Sequence, residues 1–321
     1  MFRFPRALHF EGGRPVLETG EQAQEHRSGV DPELLKEVRL IQLRTDRLVT
    51  DVMAGSYRSA FRGSGIEFDE VREWAEGDDI RSVDWNVTAR VGRPYIKKYV
   101  EERELTILFV LDHSRSMDFA SEGRTLRRMA VEFCATVGLS AQRTNDKVGL
   151  LTFGKELELF VPPRKGRSHV LRILREGLAP VSDPYGTALA ETLRYLGRVQ
   201  RKRSVVFVLS DFVGDDPFPP LRSLSRRHDV VLVPCLDRRR FELPDAGLLR
   251  VFDLEAGGEC LVDTRSARVR ERYAANARSD YEAFEKNAGR LGVDLLPLWT
   301  DKKVSTAVLQ FFRRREARFK R

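Results

Sequence analysis

The chain has 321 residues, 41% of them hydrophobic, and a net charge of +8. That is enough apolar content for a real core in one large or two modest domains. No run reaches the roughly 18 apolar residues of a spanning helix, the first residues lack an apolar signal core, and Cys134, Cys235 and Cys260 form no Cys-x-x-Cys pair. These features predict a soluble, cytoplasmic protein with reduced cysteines. The positive balance permits contact with acidic surfaces without identifying one.

Residues 1–30 read as a flexible leader, an aromatic-basic arm followed by a polar, Gly-containing stretch. Asp31-Pro32 is a helix start, an N-cap with proline at the first helical position. Leu34, Val38, Ile41, Leu48 and Val52 mark one face of a helix to about residue 51, predicted to pack on the domain. Residues 60–100 are dense in paired charge, with Glu67, Glu70, Asp78, Asp79 and Asp84 each close to an arginine. They predict a small β-rich module held by ion pairs, with Trp74 and Trp85 as apolar anchors. Helix and module together make up residues 31–100.

The stretch 105–116 is the organising element. Leu105-Thr-Ile-Leu-Phe-Val-Leu is a short, nearly unbroken apolar run, as in a strand buried on both faces of a parallel sheet. Asp112-His-Ser114-Arg-Ser116 follows it. A helix comes next, with Leu126, Met129, Ala130, Phe133, Cys134, Val137 and Ala141 at spacings of three and four. A strand at 146–153 pairs with 157–161 as a hairpin, and 168–178 is a helix. The loop Asp183-Pro-Tyr-Gly186 leads to Thr187-Ala188 and a helix over 187–198. Strands at 204–210 and 229–235 alternate with a helix at 220–227. Beyond them lie a strand at 249–254, a helix at 266–291 with Tyr273, Ala277, Tyr281 and Phe284 on its buried face, a strand at 293–298 and a helix at 301–315. Strand–helix alternation predicts an α/β fold with a doubly wound, mostly parallel sheet over 101–312. Residues 313–321 form a basic tail, read as a solvated helix end or a contact for an anionic or membrane surface.

Ligands of open α/β sheets bind at the carboxyl ends of strands. Asp112, Ser114, Ser116, Thr187 and Asp211 all fall at such ends, on three loops. Hard oxygen donors of this kind suit Mg²⁺ or Mn²⁺. The competing reading is that Asp112 and the serines only cap the following helix. Of the five histidines, His113 alone is local to these positions, and a turn between ligands predicts that it faces solvent.

Asp-x-Ser-x-Ser, a loop threonine and Ser-Asp after a strand resemble the metal-ion-dependent adhesion site of von Willebrand factor A-like domains. The stretch 62–85, from Arg62-Gly-Ser-Gly through Glu67-Phe68, Trp74, Asp78-Asp79 and Asp84-Trp85, resembles the signature of a bacterial family labelled a domain of unknown function, number fifty-eight. Genes of that family often neighbour MoxR-type AAA+ ATPases. The resemblance implies a von Willebrand factor A-like, Rossmann-type fold. It also implies an adaptor-like role beside such an ATPase in the assembly or maturation of other proteins. A partner or client would donate an acidic residue to the metal. Family members often carry Thr-Asp where this chain has Thr187-Ala188, so the hydroxyl is kept and an acidic neighbour is lost.

A metal-dependent phosphohydrolase is the alternative, since Asp112 stands where a phosphorylated aspartate would. That chemistry wants a second aspartate two residues on, where Ser114 stands. No Gly-x-x-x-x-Gly-Lys loop occurs, so the chain is not expected to be the ATPase itself. No groove-reading motif supports nucleic-acid binding.

Overall fold

The structure is a computed structural model. It describes residues 8–9, 32–48, 55–57, 60–61, 67–75, 78–79, 83–100, 104–121, 123–180, 186–253 and 258–319. Most of the 1–30 leader, the 181–185 loop and parts of the 62–85 signature lie outside the described residues. The chain divides into two units, residues 61–105 and the remainder. The predicted grouping of 31–100 therefore splits: its helix belongs to the large unit.

In the small unit, strand β2 (Glu67–Glu73) pairs antiparallel with β3 (Tyr95–Val100), and helix α2 (Trp85–Val91) lies between them in sequence. Glu73 pairs with Arg93 at 3.1 Å. Asp84 acts as a helix cap. Its Oδ1 accepts from Asn86 N at 3.0 Å and Val87 N at 3.3 Å, as an N-cap aspartate does. Asp78 accepts from the Ala75 backbone. Trp85 is not an anchor, because as the first residue after that cap it is 67% exposed.

The large unit is built on a mostly parallel sheet in the order β11-β8-β7-β4-β5-β6. The strands are β4 (Thr106–Asp112), β5 (Lys147–Phe153), β6 (Leu157–Arg164), β7 (Val205–Ser210), β8 (Asp229–Leu236), β11 (Asp294–Leu295) and β12 (Leu298–Trp299). Only β6 runs antiparallel, as the predicted hairpin with β5. The strand predicted over 293–298 is broken into β11 and β12, both parallel to β8. Successive side chains of a strand point to opposite faces, and both faces of β4 are covered. Leu108 and Val110 pack with Leu189, Leu193 and Leu221 of α5 (Leu189–Val199) and α6 (Phe218–Leu224). Phe109 turns the other way, to Phe133 of α3 (Leu126–Arg143) and Phe207, with centroids 6.3 and 6.0 Å distant. This is why β4 is apolar throughout residues 107–111 and β7 throughout residues 205–209: neither face meets water there.

On the α3 face, α1 (Pro32–Leu48) packs against α3 and α4 (Arg167–Gly177), burying Val38 and Ile41, with Glu37 paired to Arg128 at 3.2 Å. A second sheet, β1 (Leu8–His9), β9 (Leu248–Asp253) and β10 (Gly258–Asp263), was not expected. Two residues of the predicted leader thus form a strand on β9. Val251 and Val262 of this sheet pack with Tyr273 near the start of α7 (Ala267–Arg290).

The basic tail is not a separate piece. Helix α8 runs Val304–Phe319 and buries Arg315, which pairs with Asp229 and, at 3.1 Å, with Asp294; Arg318 also reaches Asp294 at 2.6 Å. Arg315 thereby ties α8 to the starts of β8 and β11. Removing one partner of a buried pair leaves uncompensated charge. Arg315→Ala should lower unfolding free energy by about 2–4 kcal/mol in urea titration, while the exposed Arg313→Ala should change it by no more than about 0.5 kcal/mol. Equal effects of the two would show that the pairing contributes nothing.

Candidate metal centre

Leaving β4 the chain moves to β5 on one side, and leaving β7 it moves to β8 on the other. The loops therefore part between β4 and β7, and the crevice of an open sheet lies there. Asp112 ends β4; Ser210 ends β7, and Asp211 follows it. A hydrogen bond spans the crevice: Ser210 Oγ donates to Asp112 Oδ2 at 2.6 Å. Asp112 Oδ1 accepts the Ser114 N–H at 2.8 Å. The Ser114 and Ser116 hydroxyls lie 2.9 Å apart, and the Ser116 hydroxyl bonds Asp211. Asp211 Oδ1 also accepts the Val213 N–H at 3.0 Å. All five side chains are buried. Asp112, Ser114, Ser116 and Asp211 are thus brought together as expected, at a 3-10 turn (Arg115–Asp118) rather than directly at the start of α3. The long helix begins later and has its own cap, Thr125, so capping α3 is not the role of Asp112.

Thr187 arrives on the third loop and is half-buried. Its position follows from its neighbours. Ala188 N–H donates to Gly154 O at 2.7 Å, just past β5, and Ala190 N–H donates to Asp215 Oδ2 at 2.8 Å, just past β7.

Three contributors escaped the sequence. Ser210 reads as the last residue of a strand, yet it holds Asp112. His113 does not face solvent. It is 3% exposed, with Nδ1 3.1 Å from Glu158 Oε2 and Nε2 3.1 Å from Gly177 O, so it pins the ligand loop to β6 and the end of α4. Arg240 lies in a 3-10 turn (Arg238–Arg240) after β8 and donates to the main-chain oxygen of Asp211. Three successive arginines gave no hint of which one turns inward.

Two carboxylates this close and this buried repel. Burial first, and the Asp211 charge second, push the Asp112 carboxyl up to about 6, against the hydrogen bonds of Ser114 and Ser210. Burial also raises Asp211, against Arg240, the Val213 N–H and Ser116. Beneath them, burial and both carboxylates raise the Cys235 thiol well above its usual range, which leaves it an inert core residue. Among the described residues no three His, Cys, Asp or Glu side chains gather to hold a metal. A cation at this crevice would draw on two carboxylates and neutral hydroxyls, a donor set of hard oxygens that fits a magnesium-like ion. The fit rests on the two buried like charges, whose compensation within the protein is incomplete.

Comparison with known proteins places the chain. It matches the family described as "Protein of unknown function DUF58" over residues 70–283. The chain belongs to that family. Uncharacterized proteins of Mycobacterium tuberculosis and Mycobacterium bovis are each 31% identical to it over 286 residues, covering 88% of this chain and 89% of theirs. Among solved structures, BatB from Bacteroides thetaiotaomicron has a TM-score of 0.39 at 13% identity, covering 67% of this chain and 99% of its own. The pilus adhesin SpaC from Lactobacillus rhamnosus GG scores 0.37 at 13% identity, covering 67% of this chain and 30% of its own. Scores this low carry no argument about this chain. No helix among the described residues is long and apolar enough to cross a membrane.

The raised Asp112 value has a consequence for the metal-free protein. Its folded value lies above its unfolded value, so the folded state holds the proton more tightly. That stability is present below about pH 4 and is lost as pH rises through about 6. Asp112→Asn keeps the shape and removes the charge. In chelator at pH 7.5 it should raise stability by on the order of 2 kcal/mol, and at pH 4 the two proteins should converge. Thermal unfolding at both pH values checks this, and an Asn variant less stable at pH 7.5 would contradict it.

Proposed function

We propose that this protein is a metal-dependent adaptor, of von Willebrand factor A-like type, that docks a partner protein through Mg²⁺ or Mn²⁺ held by Asp112, Ser114, Ser116, Thr187 and Asp211. The observation that carries the reading is the pair of buried carboxylates, Asp112 and Asp211, laced by serine hydroxyls at the parting of the loops. When bound, the ion supplies an exchangeable position for a carboxylate oxygen from outside.

The residues here do the rest. Ser114 N and Ser210 Oγ fix both oxygens of Asp112, so this carboxylate cannot swing. Ser116 and Val213 N orient Asp211. The hydroxyls coordinate without adding negative charge, which keeps a bound cation attractive to an incoming anion. His113 and Glu158 hold the loop that carries the serines. By gene-neighbour resemblance the partner system is a MoxR-type AAA+ ATPase or its client, acting in assembly or maturation. Hydrolysis is disfavoured because Ser114 stands where a phosphohydrolase wants its second aspartate, and His113 is committed to Glu158 and Gly177.

Three measurements test this. Titration calorimetry with Mg²⁺ or Mn²⁺ should give heat that Asp112→Ala abolishes; equal heats would remove the site. Partner binding should be released by chelator and weakened about tenfold or more by Asp211→Ala or Thr187→Ala, with circular dichroism unchanged. The isolated protein should hydrolyse neither phosphate monoesters nor ATP, and turnover lost in Asp112→Asn would establish the phosphohydrolase instead.

A further inference from the structure

Arg240 is half-buried beside Asp211. Its one hydrogen bond goes to a main-chain oxygen, and no acidic side chain lies within ion-pair distance of it among the described residues. Its neighbour Arg238, by contrast, is engaged by Asp301 at 2.7 Å. Most of the Arg240 guanidinium donors therefore remain for a ligand. Next to it runs a row of rings. It starts at Phe212, directly after Asp211, in a left-handed backbone conformation with φ 53°. It continues through Phe284 at 4.7 Å, Tyr281 a further 6.2 Å on, Phe241 at 5.7 Å and Trp299 at 5.7 Å. Arg240 stands 5.9 Å over the Phe241 ring. Apart from Phe241, which is nearly covered, each ring is partly open.

We propose that Arg240 and this row form a docking surface for an extended acidic segment of a partner protein. The guanidinium pairs a carboxylate, and the rings receive a bulky apolar side chain next to it. The proposal rests on the adaptor reading and adds the partner's chemistry to it. Three observations favour a peptide. A guanidinium with no acidic side chain at ion-pair distance among the described residues, beside a crevice that on the adaptor reading takes an anion, gives charge complementarity to a carboxylate. The row is continuous with the crevice through Phe212, so one segment can meet both. Aromatic rings around an arginine are also the composition of the strongest contact points in protein interfaces. A free anion such as inorganic phosphate would use the guanidinium and leave the rings without a role. Charge sets the sign of the surface. Two carboxylates cancel a divalent ion, and Arg240 leaves one positive charge over, so the loaded crevice attracts a carboxylate instead of being neutral to it.

The test is selection of displayed random peptides on the full chain in Mg²⁺, followed by fluorescence anisotropy of the synthesised best binder. Enriched peptides should carry Asp or Glu adjacent to a bulky apolar residue. Arg240→Gln should weaken the binder about tenfold or more, with Arg240→Lys recovering part of the loss, and Tyr281→Ala should weaken it several-fold. Metal-binding heats of Tyr281→Ala should match the parent, and circular dichroism of all three variants should show the parent fold. Should Arg240→Gln unfold, the Lys and Tyr281 variants carry the comparison. Peptides without acidic residues would overturn the proposal, as would no enrichment over an unrelated control protein or undiminished binding by Arg240→Gln. If nothing is enriched and inorganic phosphate binds through Arg240, the surface is an anion site and the peptide proposal fails. Binding lost in chelator but indifferent to Arg240→Gln keeps the adaptor reading and removes this surface. Binding that needs Arg240 and ignores chelator keeps the surface and removes the metal.

Discussion

Two carboxylates placed side by side out of water are the constraint on which this fold's functional end depends. Asp112 and Asp211 come from neighbouring strands, and the parallel register of β4 and β7, with Leu111 opposite Leu209, brings them within one residue of the same level. Each alone is costly to bury, and together they repel. The protein answers with neutral donors: a hydroxyl and a backbone N–H for each carboxylate. Hydrogen bonds of this kind lower the cost of a buried charge without removing the charge. The remaining counter-charge comes from Arg240, and it acts on Asp211. An arrangement so strongly supported and still short of positive charge is the physical ground for the proposed cation site.

That arrangement needs rigid walls, and the sheet supplies them. Every residue of β7, and of β4 past Thr106, is buried. Their side chains interlock with helices on both faces, so the strand ends cannot drift apart. The loops are then tied to each other rather than only to their own strands. His113 N–H bonds Phe153 O, Ala188 bonds Gly154, and Asp215 accepts from Ala190. Loosening any one loop would disturb its neighbours.

The strands and the two aspartates were legible because they obey local rules. A short β-branched and aromatic run means a buried strand, and an acidic residue just past it lies at a strand end whatever the tertiary fold. Asp112, Ser114, Ser116 and Asp211 could be read in that way. Ser210, His113 and Arg240 could not, because their roles depend on partners remote in sequence. Ser210 reaches back 98 residues to Asp112, and His113 reaches 45 residues to Glu158. Arg315 reads as part of a solvated basic run, and it is buried because Asp229, 86 residues away, meets it. Strand β10 was missed for a different reason. Gly258-Glu-Cys-Leu-Val-Asp263 has too few apolar positions to stand out, and its pairing with β9 supplies what its own pattern lacks. Trp85 shows the converse error, a large apolar residue assigned to a core and placed by its cap on the surface.

Charge bears most directly on how such a site could discriminate. Ala188 occupies the place where family members often carry an aspartate, so this chain has one carboxylate fewer near the crevice than that pattern provides. The loss weakens the pull on a cation. It also means that a bound divalent ion is not over-neutralised, and the guanidinium of Arg240 then tips the balance to positive. Without an ion, the same groups sum to negative or, with Asp112 protonated, to neutral. On the proposed reading, metal occupancy would change the sign of the face. An acidic segment would be repelled or ignored by the empty crevice and drawn to the loaded one. Coulomb attraction across a few ångströms in a partly buried crevice is large enough, at several kcal/mol, for this change of sign to separate a bound partner from a free one. A third carboxylate at position 188 would return the loaded site to neutrality and remove its attraction for an acidic segment, so the absence of an acid there and the presence of Arg240 act in the same direction.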